Sequence, residues 1–566
     1  MISSTIIGID LGTTHCACAV YEKDSVTLIP NRLNQFLTPS VISFKDKQLL
    51  IGESAKHRLV THPDESVSTF KRHMGTSWTI RLKDEIFTAT ELSALMLKSL
   101  KEDASVFLNK EITQAVVSVP AYFNNQQREA TIHAGKIAGL EIKALINEPT
   151  AAAIAFGLHE KPDDHTFMVL DLGGGTFDIS IMEYYDKILE VQATAGDNLL
   201  GGEDFTDTLI SLYLEKNSLT KKDLTSHQYQ KIYFTLENAK KSLNEKENII
   251  IPVLFENTQE TSISQSEFMD VSKKLIRKIQ DTIKQAILDS KINISDIDDL
   301  LLVGGSSRLQ LFRDISMKLL KRIPSNAVDP DLAIAIGSAI QAGLKSKNEE
   351  LDDVVLTDVS SYSFGVGINN PNNETDLLYS PLIERNSVIP ISRTSNYVPI
   401  HENQDMLRFK VYQGEHRLVK DNLYLGELIV DIPNDESGKL GADVRFSYDS
   451  NGVLEIDVTV TATQKQYNKV ILTGDRGLTE SEIEITLNRL KKFKQHPRED
   501  EENIHLISIA DKLYTFATGD LRENILNNIK WFESILETQD RKKIKASYDE
   551  FSIYLSHIQE KLNVFE

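Results

Sequence analysis

Asp10-Leu11-Gly12-Thr13-Thr14 closes an apolar strand near the start of the chain, and Asp171-Leu172-Gly173-Gly174-Gly175-Thr176-Phe177-Asp178 closes another much further on. In both places an acid ends a β-rich run and opens a turn of Gly and Thr. Such a turn points backbone N–H groups at negative charge, and its glycines let phosphate oxygens come close. An acid beside it suits magnesium, which prefers oxygen ligands and keeps most of its waters. One such turn is an ordinary strand end. Two carry more, because each is followed by a strand that runs into a Gly or Pro turn and a helix, Val116–Pro120 in the first case and Leu300–Gly305 in the second. The repeat predicts two related half-domains facing one another across a central nucleotide cleft. No Gly-x-x-x-x-Gly-Lys-[Ser/Thr] occurs, so the phosphate loop is not of the P-loop kind.

Composition sets the class around these turns. The chain has 566 residues, enough for three or four domains of about 150 residues. With 41% hydrophobic and 26% charged residues it has the make-up of a folded globular protein rather than a disordered one. A net charge of −21 argues against a general nucleic-acid binder, which needs basic surface to replace phosphate counterions. The two cysteines, Cys16 and Cys18, support neither a disulfide framework nor a four-cysteine zinc site. No apolar run approaches the roughly 18 residues of a membrane helix. The opening Met1-Ile2-Ser3-Ser4-Thr5 lacks a basic segment followed by an apolar core, so neither a signal peptide nor a membrane partner is expected, and the expected location is the cytoplasm. None of the 13 histidines forms a tight metal pattern; His57 and His62 are spaced off one helix face.

Texture changes along the chain. Before residue 350, strands such as Thr5–Ile9, Ala115–Val119, Phe167–Leu170, Ile188–Thr194 and Leu300–Val303 alternate with helical patterns at Asn125–Ala138 and Asp331–Leu344, which reads as α/β. A polar acidic stretch then gives way to the apolar connector Val354-Val355-Leu356-Thr357-Asp358. Residues 359–475 read as β and turn, with alternation over Asp405–Gln413, Asp443–Tyr448 and Val453–Val460. From 476 the pattern is helical. Thr479-Glu480-Ser481-Glu482 matches a capping box, and Ile544, Tyr548, Phe551, Leu555, Ile558 and Leu562 form one apolar stripe for helix packing.

Further motifs carry a resemblance. Ile7-Gly8-Ile9-Asp10-Leu11-Gly12-Thr13-Thr14, Val119-Pro120-Ala121-Tyr122-Phe123-Asn124 with Arg128, Ile146-Asn147-Glu148-Pro149-Thr150, Asp171–Ser180, Gly201-Gly202-Glu203-Asp204-Phe205 and Leu302-Val303-Gly304-Gly305-Ser306-Ser307-Arg308 resemble the heat-shock protein 70, or DnaK-type, chaperones. The connector and Ser380-Pro381-Leu382-Ile383-Glu384-Arg385-Asn386 look most like the HscC-type branch. The resemblance implies an actin-like α/β ATPase of duplicated ribonuclease-H-like halves over 1–350 and a linker at 351–358. A β-sandwich peptide-binding domain over 359–475 and a shortened α-helical lid over 476–566 would follow. It implies an ATP-dependent chaperone with ATP or ADP, Mg2+ and, as a further candidate ion, K+. The implied partners are extended apolar peptides, a J-domain co-chaperone and, as a further candidate, a nucleotide-exchange factor, in a setting of protein folding and stress response.

Matching positions then take implied roles. Lys71, Glu148, Asp171 and Thr176 would be catalytic, and Asp10, Asp171 and Asp178 would order magnesium mostly through water. Gly12, Thr13, Thr14, His15, Gly173, Gly174 and Gly175 would hold the phosphates. Gly201, Gly202, Glu203, Glu237, Lys240, Asn244, Gly304, Gly305, Ser306, Arg308 and Asp331 would complete the nucleotide pocket. Val366, Ile368, Tyr397, Val398, Ile400, Leu407 and Phe409 would line or arch over the peptide groove, and Val354, Val355, Leu356 and Asp358 would form the coupling linker. Read without the resemblance, Lys71 is a solvated charge, Glu148 a helix-N-terminal acid and Glu237 with Lys240 a surface helix pair, and the alternating Leu407 and Phe409 would fill a sandwich core.

Some residues depart from the family's pattern. Asn125 replaces an Asp, Asn244 a hydroxyl residue near the adenine, Asn369 an apolar arch residue and Ala144 an Arg associated with J-domain contact. Thr357 interrupts the apolar linker, and the short lid implies faster peptide exchange because its closure buries less surface. Other classes weighed were a small-molecule kinase of the same architecture, an actin-like filament protein, and a specialised regulator with few native clients.

Overall fold

The computed structural model describes residues 5–471, apart from 24, 46–47, 83–84, 158–164, 186–187, 326–327, 347–354, 372–375, 402–403, 434–440 and 450–451. It resumes over 503–562, apart from 504–505, 508, 511–512, 515–516, 518 and 539. Val354 of the expected linker and the capping box at 479–482 lie outside the described residues. Contacts divide the chain into one unit of Met1–Tyr362 with Glu384–Val388 and a second of Ser363–Ile383 with Ile389–Glu566.

In the first unit both Asp-ended strands open hairpins of the same design. Ile6–Asp10 pairs antiparallel with His15–Glu22 and parallel with Gln114–Val119. His165–Leu172 pairs antiparallel with Phe177–Tyr185 and parallel with Asp299–Val303. Each hairpin gains a third antiparallel strand, Ser25–Ile29 in one sheet and Ile188–Asp197 in the other. The Gly-Thr turns are therefore equivalent hairpin tips, with a crossover strand ending beside each. The strands Ile6–Asp10 and His165–Leu172 are almost wholly buried, which is why they read as continuous apolar runs rather than alternating ones.

Local chemistry starts the helices that follow. Asn124 caps Asn125–Ile137 through a reciprocal pair: its side chain accepts from Gln127 N–H at 3.0 Å, and Gln127 Oε1 accepts from Asn124 N–H at 2.9 Å. Pro149 lies in the first turn of Glu148–Ala155, where a missing N–H costs nothing. The connector strand Val355–Val359 joins the second sheet, parallel to Ile188–Asp197. Asn147 Nδ2 donates to Asp358 at 2.7 Å, and Arg128 donates to Asn147 Oδ1 at 2.7 Å. Beyond Asp358, Ser361 Oγ donates to the Ala121 carbonyl, and Tyr362 Oη donates to the Tyr122 carbonyl at 3.0 Å. These bonds carry the first unit through Tyr362.

The second unit holds two four-stranded antiparallel sheets. One runs Leu378–Ile383, Phe364–Ile368, Met406–Gln413, Leu423–Asp431, and the other Ile391–Tyr397, Ala442–Tyr448, Leu454–Val460, Gln466–Ile471. Alternation over Ala442–Tyr448 and Leu454–Val460 sends Val444, Phe446, Ile456 and Val458 into the core between them. Two helices, Gly519–Thr538 and Arg541–Leu562, pack through Phe532 and Phe551 at 4.9 Å, with Leu555 and Ile558 of the expected stripe buried beside them. Among the described residues no helix is long and apolar enough to cross a membrane.

Phe177, fully buried behind the second turn, meets Phe312 edge-on at 5.8 Å. Phe177→Ala should cost about 3–5 kcal/mol from lost transfer energy and the cavity left behind. The check is urea unfolding followed by Trp78 fluorescence in a Trp531→Phe background, where the midpoint should fall.

Candidate functional site

The two hairpin tips meet. A side chain built on Gly174 would begin 2.3 Å from the Thr14 methyl carbon, and one on Gly175 2.9 Å from that of Thr13. Only a turn without Cβ atoms can approach its counterpart this closely. Gly304 adopts φ +79°, and a Cβ there would lie 2.5 Å from Asp171 Oδ1, so glycine is required twice over. The segment after Ile188–Asp197 closes on the same tip: Gly202 N–H donates to Gly173 O at 3.0 Å and Glu203 N–H to Gly174 O at 2.9 Å.

Lys71 sits in the short 3-10 turn Phe70–His73, 4% exposed, and its Nζ lies 2.7 Å from Glu148 Oε1. Burial disfavours its charge, but the nearby Glu148 and Asp10 carboxylates outweigh that and raise its pKa. The solvated-charge reading of Lys71 fails for a tertiary reason: residues far apart in sequence bury it. Asp10 ends its strand with Oδ1 accepting from Ser118 at 3.0 Å. Burial, together with the Glu148 charge, lifts Asp10 to about 7. Burial and the same glutamate lift Asp178 to about 8, although Asp178 Oδ1 accepts from Tyr122 N–H at 2.9 Å. Asp171 is raised well above the usual range by burial and by Glu148, Asp178 and Asp10.

These carboxylates fit a hydrated divalent cation. Asp171 Oδ2 and Asp178 Oδ2 are buried with no hydrogen-bond partner, and neutral-pH protonation is the expected response of such acids without positive charge. Among the described residues no group of three or more acids, His or Cys converges to ligate an ion directly. A cation here would be held through its waters, which is how magnesium prefers to bind.

The outer pocket contains partners that the sequence reading passed over. Glu237 and Lys240 are no surface pair: Lys240 is 5% exposed, its Nζ 2.6 Å from Glu237 and bonded to Gly202 O and Thr206 Oγ1. Burial opposes the Glu237 charge, but Lys240 and Thr206 hold its pKa low. Tyr233 Oη donates to Glu203 at 2.6 Å, and Arg72 grips both Asp204 oxygens at 3.1 Å. Asp204 stands in the quoted Gly201–Phe205 motif and Arg72 follows Lys71, but only the fold pairs them. Ser306 lies against Gly202, and Asp331 Oδ1 would be 3.0 Å from a Cβ on Gly305. Arg308, half exposed, pairs with Asp329 at 2.8 Å and Asp331 at 2.7 Å. Asn244 donates to Arg308 O at 3.2 Å and accepts from Gln310 N–H at 3.0 Å, so its carboxamide fastens the Arg308 turn. His15 is exposed at the start of the strand His15–Glu22.

In the second unit, Val366, Leu407 and Phe409 belong to the buried sandwich core, so the core-filling role describes them. Ile368 and Tyr397 pack partly buried against it, Tyr397 meeting Phe409 edge-on at 5.8 Å. Val398 and Ile400 are 54% and 59% exposed. Ala144, where the J-domain-associated Arg was expected, is a buried methyl on the strand Glu141–Asn147.

The Hsp70 protein family model matches residues 6–81 and 76–563. Across 572 aligned residues the chain is 34% identical to the chaperone protein DnaK of Thermotoga neapolitana, covering 96% of this chain and 95% of the relative. The chain belongs to the Hsp70 family. It is therefore an ATP-dependent molecular chaperone and an ATPase, and the kinase and filament readings are not favoured. The family implies an actin-like ATPase with a β-sandwich and a helical lid, consistent with the sheets and helices above. It also implies ATP or ADP with magnesium, and unfolded peptides and J-domain co-chaperones as general partners of this Hsp70 protein.

A cation must displace protons from Asp10, Asp171 and Asp178, whose pKa values are raised, so Mg2+ affinity in the presence of ADP should increase with pH. With values of about 7 and about 8 for Asp10 and Asp178, the rise is about tenfold per unit for each proton displaced at lower pH and levels off between about pH 7 and 8. The sign for stability is opposite: acids that hold protons more tightly when folded cost the nucleotide-free unit stability as pH rises from the ordinary value of 3.8 through about 7 for Asp10 and about 8 for Asp178. Calorimetry in buffers of different ionisation enthalpy reads the proton release directly.

Proposed function

We propose that ATP is hydrolysed at the meeting point of the two hairpin tips, and the observation that carries this is the buried Lys71–Glu148 pair among Asp10, Asp171 and Asp178. Thr13, Thr14, Gly173–Gly175 and Thr176 hold the phosphates through backbone N–H groups and hydroxyls. Glu148 and Asp171 orient a water against the γ-phosphorus. As its oxygen bonds to phosphorus, the bond to the bridging oxygen of ADP breaks, and the water's proton passes to this carboxylate cluster. Lys71 faces the negative charge spread over the transferring group, in keeping with phosphoryl transfer as positioning plus charge stabilisation. Magnesium, when bound, neutralises phosphate charge beside Asp10, Asp171 and Asp178. Glu203, Glu237, Lys240, Asn244, Ser306, Arg308 and Asp331 shape the nucleoside end, with Gly12, Gly201, Gly202, Gly304, Gly305 and His15 completing the wall.

We further infer that residues 1–350 act as the ATPase domain, 351–358 as linker, 359–475 as peptide-binding domain and 476–566 as a short lid. A duplicated ribonuclease-H-like ancestry of the ATPase halves is supported by their matching strand order. In the peptide domain, Tyr397, Val398, Ile400 and Ile368 form the surface that meets an apolar segment, backed by Val366, Leu407 and Phe409; backbone hydrogen bonds supply breadth and the apolar surface preference. The linker residues Val355, Leu356 and Asp358 couple nucleotide state to peptide release, supported by the Asn147–Asp358 bond. Coupling requires ATP to favour one linker arrangement over the other. Because Ala144 offers no guanidinium, J-domain contact draws on other residues. The HscC-type placement, a cytoplasmic location, a role in stress and a K+ requirement belong to the same reading.

Lys71→Ala should lower single-turnover hydrolysis by about 10²–10³-fold while ATP still binds. It should also destabilise the first unit, because Glu148 is left buried without its partner. Addition of ATP should still accelerate dissociation of a fluorescent apolar peptide from this variant, since binding rather than hydrolysis drives release. Hydrolysis at the parental rate would overturn the role of Lys71, and no acceleration by ATP in the parent would overturn the coupling.

A further inference from the structure

Asn198 lies in the loop between the strand Ile188–Asp197 and the helix Gly202–Lys216. Its Nδ2 donates to the Tyr122 carbonyl at 2.7 Å and lies 3.4 Å from Gln127 Oε1. The Gln127 atom is itself an acceptor, since it takes the Asn124 N–H at 2.9 Å. Two acceptors at one end of the carboxamide fix its orientation, with the NH2 toward Tyr122 and Oδ1 away from it. That Oδ1 is buried and has no partner. Buried acceptors are almost always satisfied, by protein or by bound water. Tyr122 joins this orphan to a second one: its N–H is donated to Asp178 Oδ1 at 2.9 Å, and Asp178 Oδ2 is also buried and unpartnered. The strand end presses on both, because a Cβ on Gly196 would lie 2.8 Å from Tyr122 Cβ and 2.9 Å from Asp178 Oδ1. Two buried oxygens without a donor are thus tied to the two ends of one residue, Asp178 to the Tyr122 N–H and Asn198 to its carbonyl.

We propose that Asn198 is a positioning residue of the ATPase site: its NH2 holds the Tyr122 turn that orients Asp178, and its Oδ1 accepts a hydrogen bond from water bound with the cation. The inference rests on the reading of Asp178 as a metal-side carboxylate. Outer-shell groups of this kind affect metal affinity or activity by roughly 10–100-fold.

The test uses the full chain with Asn198→Ala, Asn198→Asp and Asp178→Asn. ADP affinity is titrated against Mg2+ by calorimetry, and single-turnover hydrolysis is followed against pH. Asn198→Ala should need about tenfold more Mg2+ for its half-maximal effect on ADP binding, with ADP affinity in the absence of Mg2+ unchanged within about twofold. Asn198→Asp keeps an acceptor but adds a negative charge on the Tyr122 segment that holds Asp178, so its pH–rate profile should move to higher pH. A parental Mg2+ requirement in Asn198→Ala with an unmoved profile in Asn198→Asp would overturn the proposal. So would equal losses of Mg2+-free ADP affinity and thermal midpoint in both variants, which would mark a purely structural residue. If Asp178→Asn alone kept the parental Mg2+ requirement, the reading of Asp178 would fall and this inference with it.

Discussion

Asp10, Glu148, Asp171 and Asp178 share one buried region with the ammonium of Lys71, so the acids there outnumber it. Taking charges out of water is costly, and an unpaired buried carboxylate responds by holding a proton. The raised pKa values of Asp10, Asp171 and Asp178 express that imbalance. A site of this composition has a built-in demand for positive charge, which the proposed hydrated magnesium with its phosphates would answer. The Hsp70 ATPase is organised around that demand.

The surrounding frame keeps the acids where solvent cannot relieve them. Each hairpin ends its Asp-bearing strand at the cleft, and a parallel crossover strand ends beside it, so both sheets deliver their polar tips to one place. Glycine at 174 and 304 lets the tips and the Asp171 side chain come closer than any Cβ would allow. The 120–122 turn is the busiest joint: its backbone serves Asp178 on one side and Arg128, Asn198, Ser361 and Tyr362 on the other. Asp178 and the end of the connector are therefore held by neighbouring peptide groups of the same segment.

Much of this was legible in the residues. The paired Asp-Gly-Thr turns announced two hairpins of the same design, because a tight turn's chemistry is local. The helix starts at Asn125 and Glu148 were readable for the same reason, and the alternation over Asp443–Tyr448 and Val453–Val460 marked sandwich strands. Pairings across the chain were not. Glu237 with Lys240 looked like an exposed helix pair, yet Gly202 and Thr206 bury them. Leu407 and Phe409 fitted either groove or core, since alternation says which residues share a face but not what covers it. Arg72 with Asp204, and Tyr233 with Glu203, carry no local signature at all.

By itself, then, the sequence determined the two phosphate turns, the change from α/β to β to helical texture and the chemistry available at each turn. These depend on backbone freedom and side-chain periodicity within a few residues. Only the tertiary structure decided which charges lose their water, which acids crowd together and which glycines face another backbone. Burial and electrostatic coupling are sums over neighbours from distant parts of the chain, and they turn Lys71 from a surface lysine by appearance into a buried cation among acids.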